Sequence, residues 1–98
     1  MAKRIHEQID GSTATDFQKA VWHVVADIPK GRTMTYAEVA QAINRPGAVR
    51  AVGNALNKNP FAPVVPCHRV IKSDGTLGGF ALGSKKKTIL LRREGITL

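Results

Sequence analysis

Two short helices joined by a tight turn are encoded by residues 35–58, whose sequence is TYAEVAQAINRPGAVRAVGNALNK. Thr35 and Glu38 have the spacing of a capping box, which predicts that a helix begins here. The Asn-Arg-Pro-Gly sequence at residues 44–47 favours a turn, because these residues tolerate or require special backbone angles. A second helical period from about Ala48 to Lys58 predicts the next helix. The pair is typical of a helix-turn-helix.

A longer helix is predicted before this pair. Thr15 and Gln18 form another capping box, and apolar residues then recur on one helical face until the Pro-Lys-Gly sequence at residues 29–31 ends the helix. Residues 1–14 are polar and lack a sustained period. We therefore expect a flexible N-terminal arm over residues 1–14 and a folded domain over residues 15–98.

The chain after the helix pair predicts a hairpin and a last helix. Candidate strands at residues 70–72 and 77–80 flank an Asp-Gly turn, which is a strong hairpin signal. Ser84 is a candidate cap for the last helix, and Gly95 is its expected stop. The expected buried side of this helix comprises Ile89, Leu90 and Leu91. The lysines expected to be solvated at its start are Lys85, Lys86 and Lys87. The predicted fold class is mainly α with a small β-hairpin, a winged helix-turn-helix-like single domain.

The charge of the chain is strongly positive and unevenly distributed. The 98 residues carry a formal net charge of +8. Residues 1–29 hold three basic and four acidic side chains, a net charge of −1, whereas residues 30–98 hold twelve and three, a net charge of +9. Such a field on two thirds of a small domain favours a polyanion such as nucleic acid. The alternative is a basic surface that only increases solubility.

Composition excludes several classes of protein. No apolar run approaches the roughly 18 residues of a membrane span, and the N-terminus lacks the apolar segment of a secretory signal. We therefore expect a soluble intracellular protein that is cytoplasmic. If the source is a prokaryote, we expect it to be associated with the nucleoid. One cysteine, Cys67, allows neither an internal disulfide nor a tetrahedral thiolate zinc site. The hydrophobic core must stabilise the domain alone.

Cys67 and His68 are the candidate chemical groups. A reactive thiol must become a thiolate, and a neighbouring base or positive field promotes this ionisation. Adjacent side chains of an extended strand point in opposite directions, so His68 requires irregular backbone at Pro66 or a bridging group to act on the thiol. The alternative is that Cys67 is a buried small hydrophobic residue.

The sequence Pro-Cys-His-Arg-Val at residues 66–70 resembles the active-site signature of the O6-alkylguanine-DNA alkyltransferases. The resemblance extends from about Phe17 to Gly95, the length of the family's C-terminal catalytic domain. The further matching motifs are Thr-Tyr-Ala-Glu at 35–38, Arg-Ala-Val-Gly at 50–53, Asn-Pro at 59–60 and Leu-Leu-Arg-Arg-Glu-Gly at 90–95. Several motifs in the family's order make the resemblance specific.

The resemblance implies catalytic roles for four residues. Cys67 is expected to be the nucleophile that takes an alkyl group irreversibly from O6 of guanine, so that the protein is consumed in a single turnover. His68 is expected to deprotonate Cys67 through a water, and Glu94 to orient the imidazole. Asn59 is expected to hold the turn between the recognition helix and the active-site segment. No cofactor or metal is required for this transfer.

The resemblance also implies how a monomer of this kind contacts double-stranded DNA. Arg50 is expected to enter from the minor groove and fill the space left by the flipped nucleotide, while Tyr36 contacts the neighbouring phosphate and the extruded base. The expected DNA-binding residues are Thr35, Tyr36, Ala48, Arg50, Ala51, Gly53 and Asn54. The expected substrate-binding residues are Tyr36, Arg50, Val70, Phe80 and Ala81.

This chain departs from the family pattern in three respects. Most members carry an N-terminal domain before this region, where this chain has a short arm. Phe80 and Ala81 stand where the family commonly has a tyrosine and a serine or other small residue, so the Ala81 backbone N–H is the remaining candidate donor to the leaving oxygen. Leu82 stands where a glycine is frequent.

Two other functions compete with alkyl transfer. Alkyltransferase-like proteins share this domain, usually have tryptophan in place of the cysteine, and bind the lesion without chemistry. This chain retains Cys67, His68 and Glu94, which favours transfer. A plain helix-turn-helix DNA-binding protein would leave the Cys-His sequence without a role.

Overall fold

The computed structural model describes residues 2–62, 64–75 and 84–96. The α-helices in these ranges are α1 (Ala2–Asp10), α2 (Asp16–Ala26), α3 (Tyr36–Ala42), α4 (Val49–Asn57) and α5 (Ser84–Arg93). The remaining elements are strands β1 (Met34–Thr35) and β2 (Val70–Ile71) and a 3₁₀ turn, Cys67–Arg69, which we call the reactive turn. The prediction of a mainly α fold with a helix-turn-helix is confirmed.

Helix α2 begins where its capping box predicts. The Thr15 hydroxyl accepts a hydrogen bond from the Gln18 backbone N–H at 3.1 Å, and the Gln18 side chain accepts one from the Thr15 N–H at 3.0 Å. The helix buries Val21, Trp22 and Val25 against the core. The Trp22 indole N–H also donates to the Ala55 carbonyl at 2.9 Å, which fixes α2 against α4.

The helix pair α3–α4 forms as the sequence predicts. The Thr35 hydroxyl accepts from the Glu38 N–H at 3.0 Å, and the Glu38 carboxylate accepts from the Thr35 N–H at 2.8 Å. Asn44 turns the chain with a φ of 61°, a left-handed angle that asparagine tolerates better than most residues. Helix α4 begins one residue after Ala48 and ends one residue before Lys58, and it buries Val52, Ala55 and Leu56.

The strands form a parallel pair. Met34 pairs with Val70, and Thr35 pairs with Ile71. The predicted hairpin places the partner of β2 at residues 77–80, which lie outside the described residues. Gly75 in the intervening turn has a φ of 87°, the left-handed angle expected of a glycine in such a turn. The observed β1–β2 pairing joins the start of α3 to the end of the reactive turn.

The prediction of a flexible N-terminal arm is wrong for residues 2–10, which form α1 and pack on α2. Ile5 and Ile9 are four residues apart, so they share one helical face, and both are buried in the core. Polar contacts add to this docking. The stacked rings of His6 and His23 contact each other through their Nδ1 atoms, and their Nε2 atoms contact carboxylates of Asp27 and Asp10, respectively.

Replacing Ile9 with alanine is expected to lower the free energy of unfolding by about 2–4 kcal/mol, because Ile9 is fully buried and its loss leaves a cavity. Urea denaturation followed by circular dichroism measures the change. Gln8→Ala, at the exposed neighbouring position, is the control and is expected to change stability by less than about 0.5 kcal/mol. Equal stabilities of the two variants would contradict the packing of α1 on the core.

The predicted orientation of α5 is partly wrong. Ile89 was expected inside but is 46% exposed, whereas Leu91 is buried. Lys87 was expected to be solvated but is fully buried, while Lys85 and Lys86 are exposed as predicted. Lys87 and Leu91 are four residues apart and share the inner face of the helix, which turns Ile89 outward. Among the helices described, none has the length and hydrophobicity needed to cross a membrane.

Candidate active site and nucleic-acid interface

Cys67 lies in a tight turn rather than in an extended strand. The Cys67 N–H donates to the Val65 carbonyl at 2.8 Å, and the Arg69 N–H donates to the Pro66 carbonyl at 2.8 Å. Successive side chains of a 3₁₀ turn are about 120° apart, so Cys67 and His68 do not point in opposite directions as they would in a strand. The backbone irregularity that a Cys–His interaction requires is therefore present. Both residues are 2% exposed.

Asn59 braces the approach to this turn. Its side-chain amide donates to the Val65 carbonyl at 2.9 Å, and its side-chain carbonyl accepts from the Phe61 N–H at 2.8 Å. The side chain is buried, so both hydrogen bonds are shielded from competing water. Asn59 thus joins the end of α4 to the segment before Cys67, which is the position that its expected role requires.

Glu94 is the centre of a partly buried polar cluster. Its Oε2 lies 2.9 Å from Nε2 of His68 and accepts from Nη2 of Arg69 at 2.7 Å, while its Oε1 accepts from Nε of Arg69 at 2.8 Å. Arg69 also donates through Nη1 to the Ile28 carbonyl at 2.8 Å. The cluster therefore connects the end of α5, the reactive turn and the chain that follows α2.

The ionisation of this cluster defines the state of His68. Burial acts to raise the pKa of the Glu94 carboxyl, but hydrogen bonds from Arg69 and His68 outweigh it and lower the pKa to about 2. Burial lowers the pKa of His68, although the Glu94 carboxylate opposes that shift. A carboxylate only accepts hydrogen bonds, so Nε2 of a neutral His68 carries the proton and Nδ1 carries the lone pair. His68 is thus prepared to accept a proton at Nδ1.

Lys87 and Tyr36 lie beside the same turn. The Lys87 ammonium donates to the Val70 carbonyl at 2.6 Å and lies 5.8 Å from the centre of the Tyr36 ring. Burial lowers the pKa of Lys87 to about 8, and the charge of Cys67 opposes this shift. Burial raises the pKa of Tyr36, and the charge of Cys67 raises it further. Both side chains are therefore within electrostatic range of the thiol.

A cavity of about 390 Å³ opens between α3, α4 and the chain after β2. Its lining residues are Tyr36, Val49, Gly53, Asn54, Asn57, Lys72 and Ser73. A Cβ atom at Gly53 would lie 3.8 Å from Cε1 of Tyr36, an ordinary van der Waals distance. Packing therefore does not require glycine at position 53, and its missing side chain leaves space in the cavity.

The residues predicted to bind DNA fall on α4 and at the start of α3. Arg50, Ala51 and Asn54 are exposed on one side of α4, and Ala48 directly precedes the helix. Thr35 caps α3 with its hydroxyl and is partly exposed. Of the predicted substrate-binding residues, Val70 is fully buried in β2. Phe80 and Ala81 lie outside the described residues, as does Leu82.

Comparison with known families identifies the chain. The sequence model of the 6-O-methylguanine DNA methyltransferase DNA-binding domain matches residues 16–96. The chain belongs to this family. The resemblance carried by the Pro-Cys-His-Arg-Val signature is thereby confirmed.

Relatives in this family are similar over most of the chain. The methylated-DNA–protein-cysteine methyltransferase of Methanosarcina barkeri is 55% identical over 80 residues, which cover 82% of this chain and 51% of the relative. The protein of the same name from Shigella flexneri is 50% identical over 84 residues, which cover 86% of this chain and 49% of the relative. The chain thus spans about half the length of these relatives.

Solved structures share the fold. The OGT protein of Mycobacterium tuberculosis in complex with DNA matches with a TM-score of 0.82 at 49% identity, over 84% of this chain and 50% of that one. S. pombe Atl1, in complex with damaged DNA containing O6-carboxymethylguanine, matches with a TM-score of 0.77 at 32% identity, over 88% of this chain and 82% of that one.

Two site residues of this family member were missed by the sequence analysis. Arg69 is part of the quoted signature, but nothing in the local sequence indicates its bidentate pairing with Glu94, 25 residues away. Lys87 was interpreted as a solvated charge. The signal that distinguishes it from Lys85 and Lys86 is its position four residues before Leu91, which places it on the inner face of α5.

Proposed function

We propose that this chain binds duplex DNA containing O6-alkylguanine and transfers the alkyl group irreversibly to Sγ of Cys67. The observation that carries the proposal is the Glu94–His68 contact beside Cys67, which supplies a neutral imidazole with a fixed proton position next to the only thiol of the chain. The family membership of the chain supports the same reaction.

The proposed reaction is a displacement at the alkyl carbon. The Cys67 thiol gives its proton to Nδ1 of His68 through a water, and Glu94 stabilises the resulting imidazolium. The thiolate sulfur then forms a bond to the alkyl carbon as the bond from that carbon to O6 breaks. The departing guanine anion takes up the proton, so one thiol and one alkylguanine become one thioether and one guanine. A thioether is a poor leaving group, so each molecule reacts once.

The proposed DNA contact uses α3 and α4. An O6-alkyl group lies inside the base stack, so the nucleotide must leave the duplex at a cost of a few kcal/mol. Arg50 is exposed on α4 and can enter the minor groove to fill the gap, while Tyr36 contacts the extruded base next to the cavity. The positive charge of residues 30–98 supports phosphate binding. We propose that the chain acts as a monomer wherever the cell keeps its DNA.

The proposed function is tested by mass spectrometry of the intact chain after incubation with a duplex containing O6-methylguanine. We expect one methyl group on the peptide that contains Cys67 and restored guanine in the DNA. Tight binding of the lesion without a mass change would instead indicate an alkyltransferase-like protein. Equal affinity for damaged and undamaged DNA, again without a mass change, would indicate a plain helix-turn-helix DNA-binding protein.

Arg50→Ala is expected to slow methyl transfer from duplex DNA by about tenfold or more, because nothing then fills the gap left by the flipped nucleotide. Transfer from free O6-benzylguanine requires no flipping and is expected to change less than about twofold. Single-turnover rates with the two substrates measure the difference. Lys58→Ala removes an exposed charge near the end of the same helix and is the matched control. An equal loss with both substrates would contradict the flipping role.

A further inference from the structure

Two histidines, which we call the histidine pair, join α1 to α2 through a continuous row of polar contacts. Nδ1 of His6 lies 2.5 Å from Nδ1 of His23, and the two ring planes are within 12° of parallel. At the ends of the row, Nε2 of His6 lies 2.8 Å from Oδ1 of Asp27, and Nε2 of His23 lies 2.7 Å from Oδ1 of Asp10. His6 and Asp10 precede residues 16–96, so the matched family model does not include this arrangement.

The number of protons on the histidine pair follows from its partners. A carboxylate only accepts hydrogen bonds, so Nε2 of each ring must carry a proton to bond with Asp27 or Asp10. A neutral imidazole has one ring proton, so two neutral rings in this arrangement would bring two Nδ1 lone pairs together. One further proton between the Nδ1 atoms removes this conflict and completes the row of hydrogen bonds. The geometry therefore favours one additional proton, and one positive charge, on the pair.

A proton fits the space between the Nδ1 atoms better than a metal ion does. Two nitrogen ligands of a tetrahedral zinc ion, each about 2.0–2.1 Å from the metal, lie about 3.3 Å apart, which exceeds the 2.5 Å between the two Nδ1 atoms. Within the described ranges, no group of three or more histidine, cysteine or carboxylate side chains could hold a metal ion. A shared proton needs only the two nitrogens.

The charges around the histidine pair favour its single positive charge. Asp10 on α1 and Asp27 at the end of α2 place a carboxylate at each end of the row. The Lys19 ammonium, also from α2, donates to the Asp10 backbone carbonyl at 3.1 Å, and Arg32 lines a cavity of about 220 Å³ together with Asp27. Among the described residues, the charged groups that contact the two rings are therefore both anionic.

We propose that a proton shared by His6 and His23 holds α1 against α2 within a window of pH. Loss of that proton forces one ring to donate through Nδ1 and to turn an unprotonated Nε2 toward its carboxylate. Gain of a second proton places two N–H groups and two positive charges against each other. Each change breaks one contact of the row, so the docking of α1 weakens on both sides of the window. This role is independent of alkyl transfer to Cys67, because neither histidine takes part in that reaction.

The position of the window follows from proton linkage. A histidine in an unfolded chain has a pKa of about 6.5, so two unfolded rings together bind one additional proton at that pH, two well below it and none well above it. The folded pair binds one throughout the window. Below about pH 6.5 the unfolded chain binds more protons and the free energy of unfolding rises with pH, whereas above it the unfolded chain binds fewer and the free energy of unfolding falls. The contribution of the pair is therefore largest near pH 6.5.

A double-variant cycle isolates this contribution from the other titrating groups of the chain. His6→Gln and His23→Gln each keep an amide that donates to a carboxylate, but neither side chain can share a proton. Urea denaturation of the unmodified chain, the two variants and their combination gives the coupling between the two positions at each pH. We expect the coupling at pH 6.5 to exceed that at pH 5.0 and at pH 8.0 by about fivefold in the unfolding equilibrium constant. Gln8→Ala, at an exposed position of α1, is the control and is expected to leave the pH dependence unchanged.

NMR of the chain labelled with ¹⁵N-histidine observes the shared proton directly. The chain has three histidines, and the two glutamine variants identify the signals of His6 and His23. At pH 6.5 we expect both Nε2 atoms to be protonated and both Nδ1 signals to lie between those of protonated and unprotonated nitrogen.

Three outcomes would overturn the proposal. The first is a coupling that is absent at pH 6.5 or does not change with pH in variants whose folding is verified by circular dichroism. The second is a pair of Nδ1 signals that both indicate unprotonated nitrogen at pH 6.5. The third is loss of the coupling after dialysis against EDTA, which would indicate that a metal ion rather than a proton joins the two rings.

Discussion

Replacing Cys67 with alanine is expected to abolish methyl transfer completely while leaving affinity for a duplex containing O6-methylguanine within about threefold of the unmodified chain. Cys67 is the only cysteine of the chain, so no other thiolate can replace it as the nucleophile. The proposed DNA-binding residues on α3 and α4 do not include Cys67 and keep their positions. Intact mass and a fluorescence anisotropy titration measure the two quantities.

The same variant also tests whether the reactive turn depends on the sulfur for its structure. Cys67 is buried in the core, so its replacement by the smaller alanine is expected to lower the free energy of unfolding by only about 1 kcal/mol. Cys67→Ser is the control that replaces the thiol with a hydroxyl of similar size, and it is also expected to give no methylated protein. Methylation of either variant at another residue would refute Cys67 as the acceptor.

Glu94→Gln is expected to reduce the transfer rate by about 100-fold or more and to lower the free energy of unfolding by about 3 kcal/mol. Glutamine removes the charge that stabilises the His68 imidazolium, which lowers the contribution of general base catalysis. It also leaves the Arg69 guanidinium without its bidentate anionic partner in a largely buried site. Single-turnover rates and urea denaturation measure the two effects.

The dependence of stability on pH gives an independent check of this cluster. The pKa of Glu94 is lowered from its ordinary value of 4.5 to about 2 in the folded chain. The carboxylate therefore contributes its full stabilisation above about pH 4.5, and this contribution is lost as the pH falls toward 2. In Glu94→Gln this part of the acid dependence is expected to disappear. A variant with the acid dependence of the unmodified chain would contradict the assigned role of Glu94.

Local signals in the sequence predicted the helices well. Thr15 and Thr35 cap α2 and α3 through hydrogen bonds that span only three residues, so the sequence around each contains all that the interaction needs. The helical period of α4 likewise predicted its bounds to within one residue at each end. Helix α1 was missed because only Ile5 and Ile9 form its apolar stripe, which is too short to establish a period in a polar segment.

Contacts between distant segments could not be read from local sequence. The pairing of Glu94 with His68 joins residues 26 positions apart, and the family resemblance rather than periodicity suggested it. The parallel pairing of Met34 with Val70 has no signal within either segment and depends on how the helices pack. The burial of Lys87 has one local signal, its spacing of four residues from Leu91, which the prediction of solvated lysines did not use. Buried polar side chains are the hardest to predict, because residues of polar type are usually exposed.

The two-residue parallel ladder has a mechanical consequence. Thr35 caps α3 with its side chain and pairs with Ile71 in the two-stranded sheet. Ile71 lies two residues after Arg69, where the reactive turn ends. Parallel neighbours require a long crossover, and here the crossover carries both the helix pair and the sulfur. The proposed DNA-binding surface and the proposed nucleophile are thereby kept at a set separation. In the proposed reaction the nucleotide moves toward the sulfur. The fixed distance between the helix pair and Cys67 then sets how far the nucleotide must rotate.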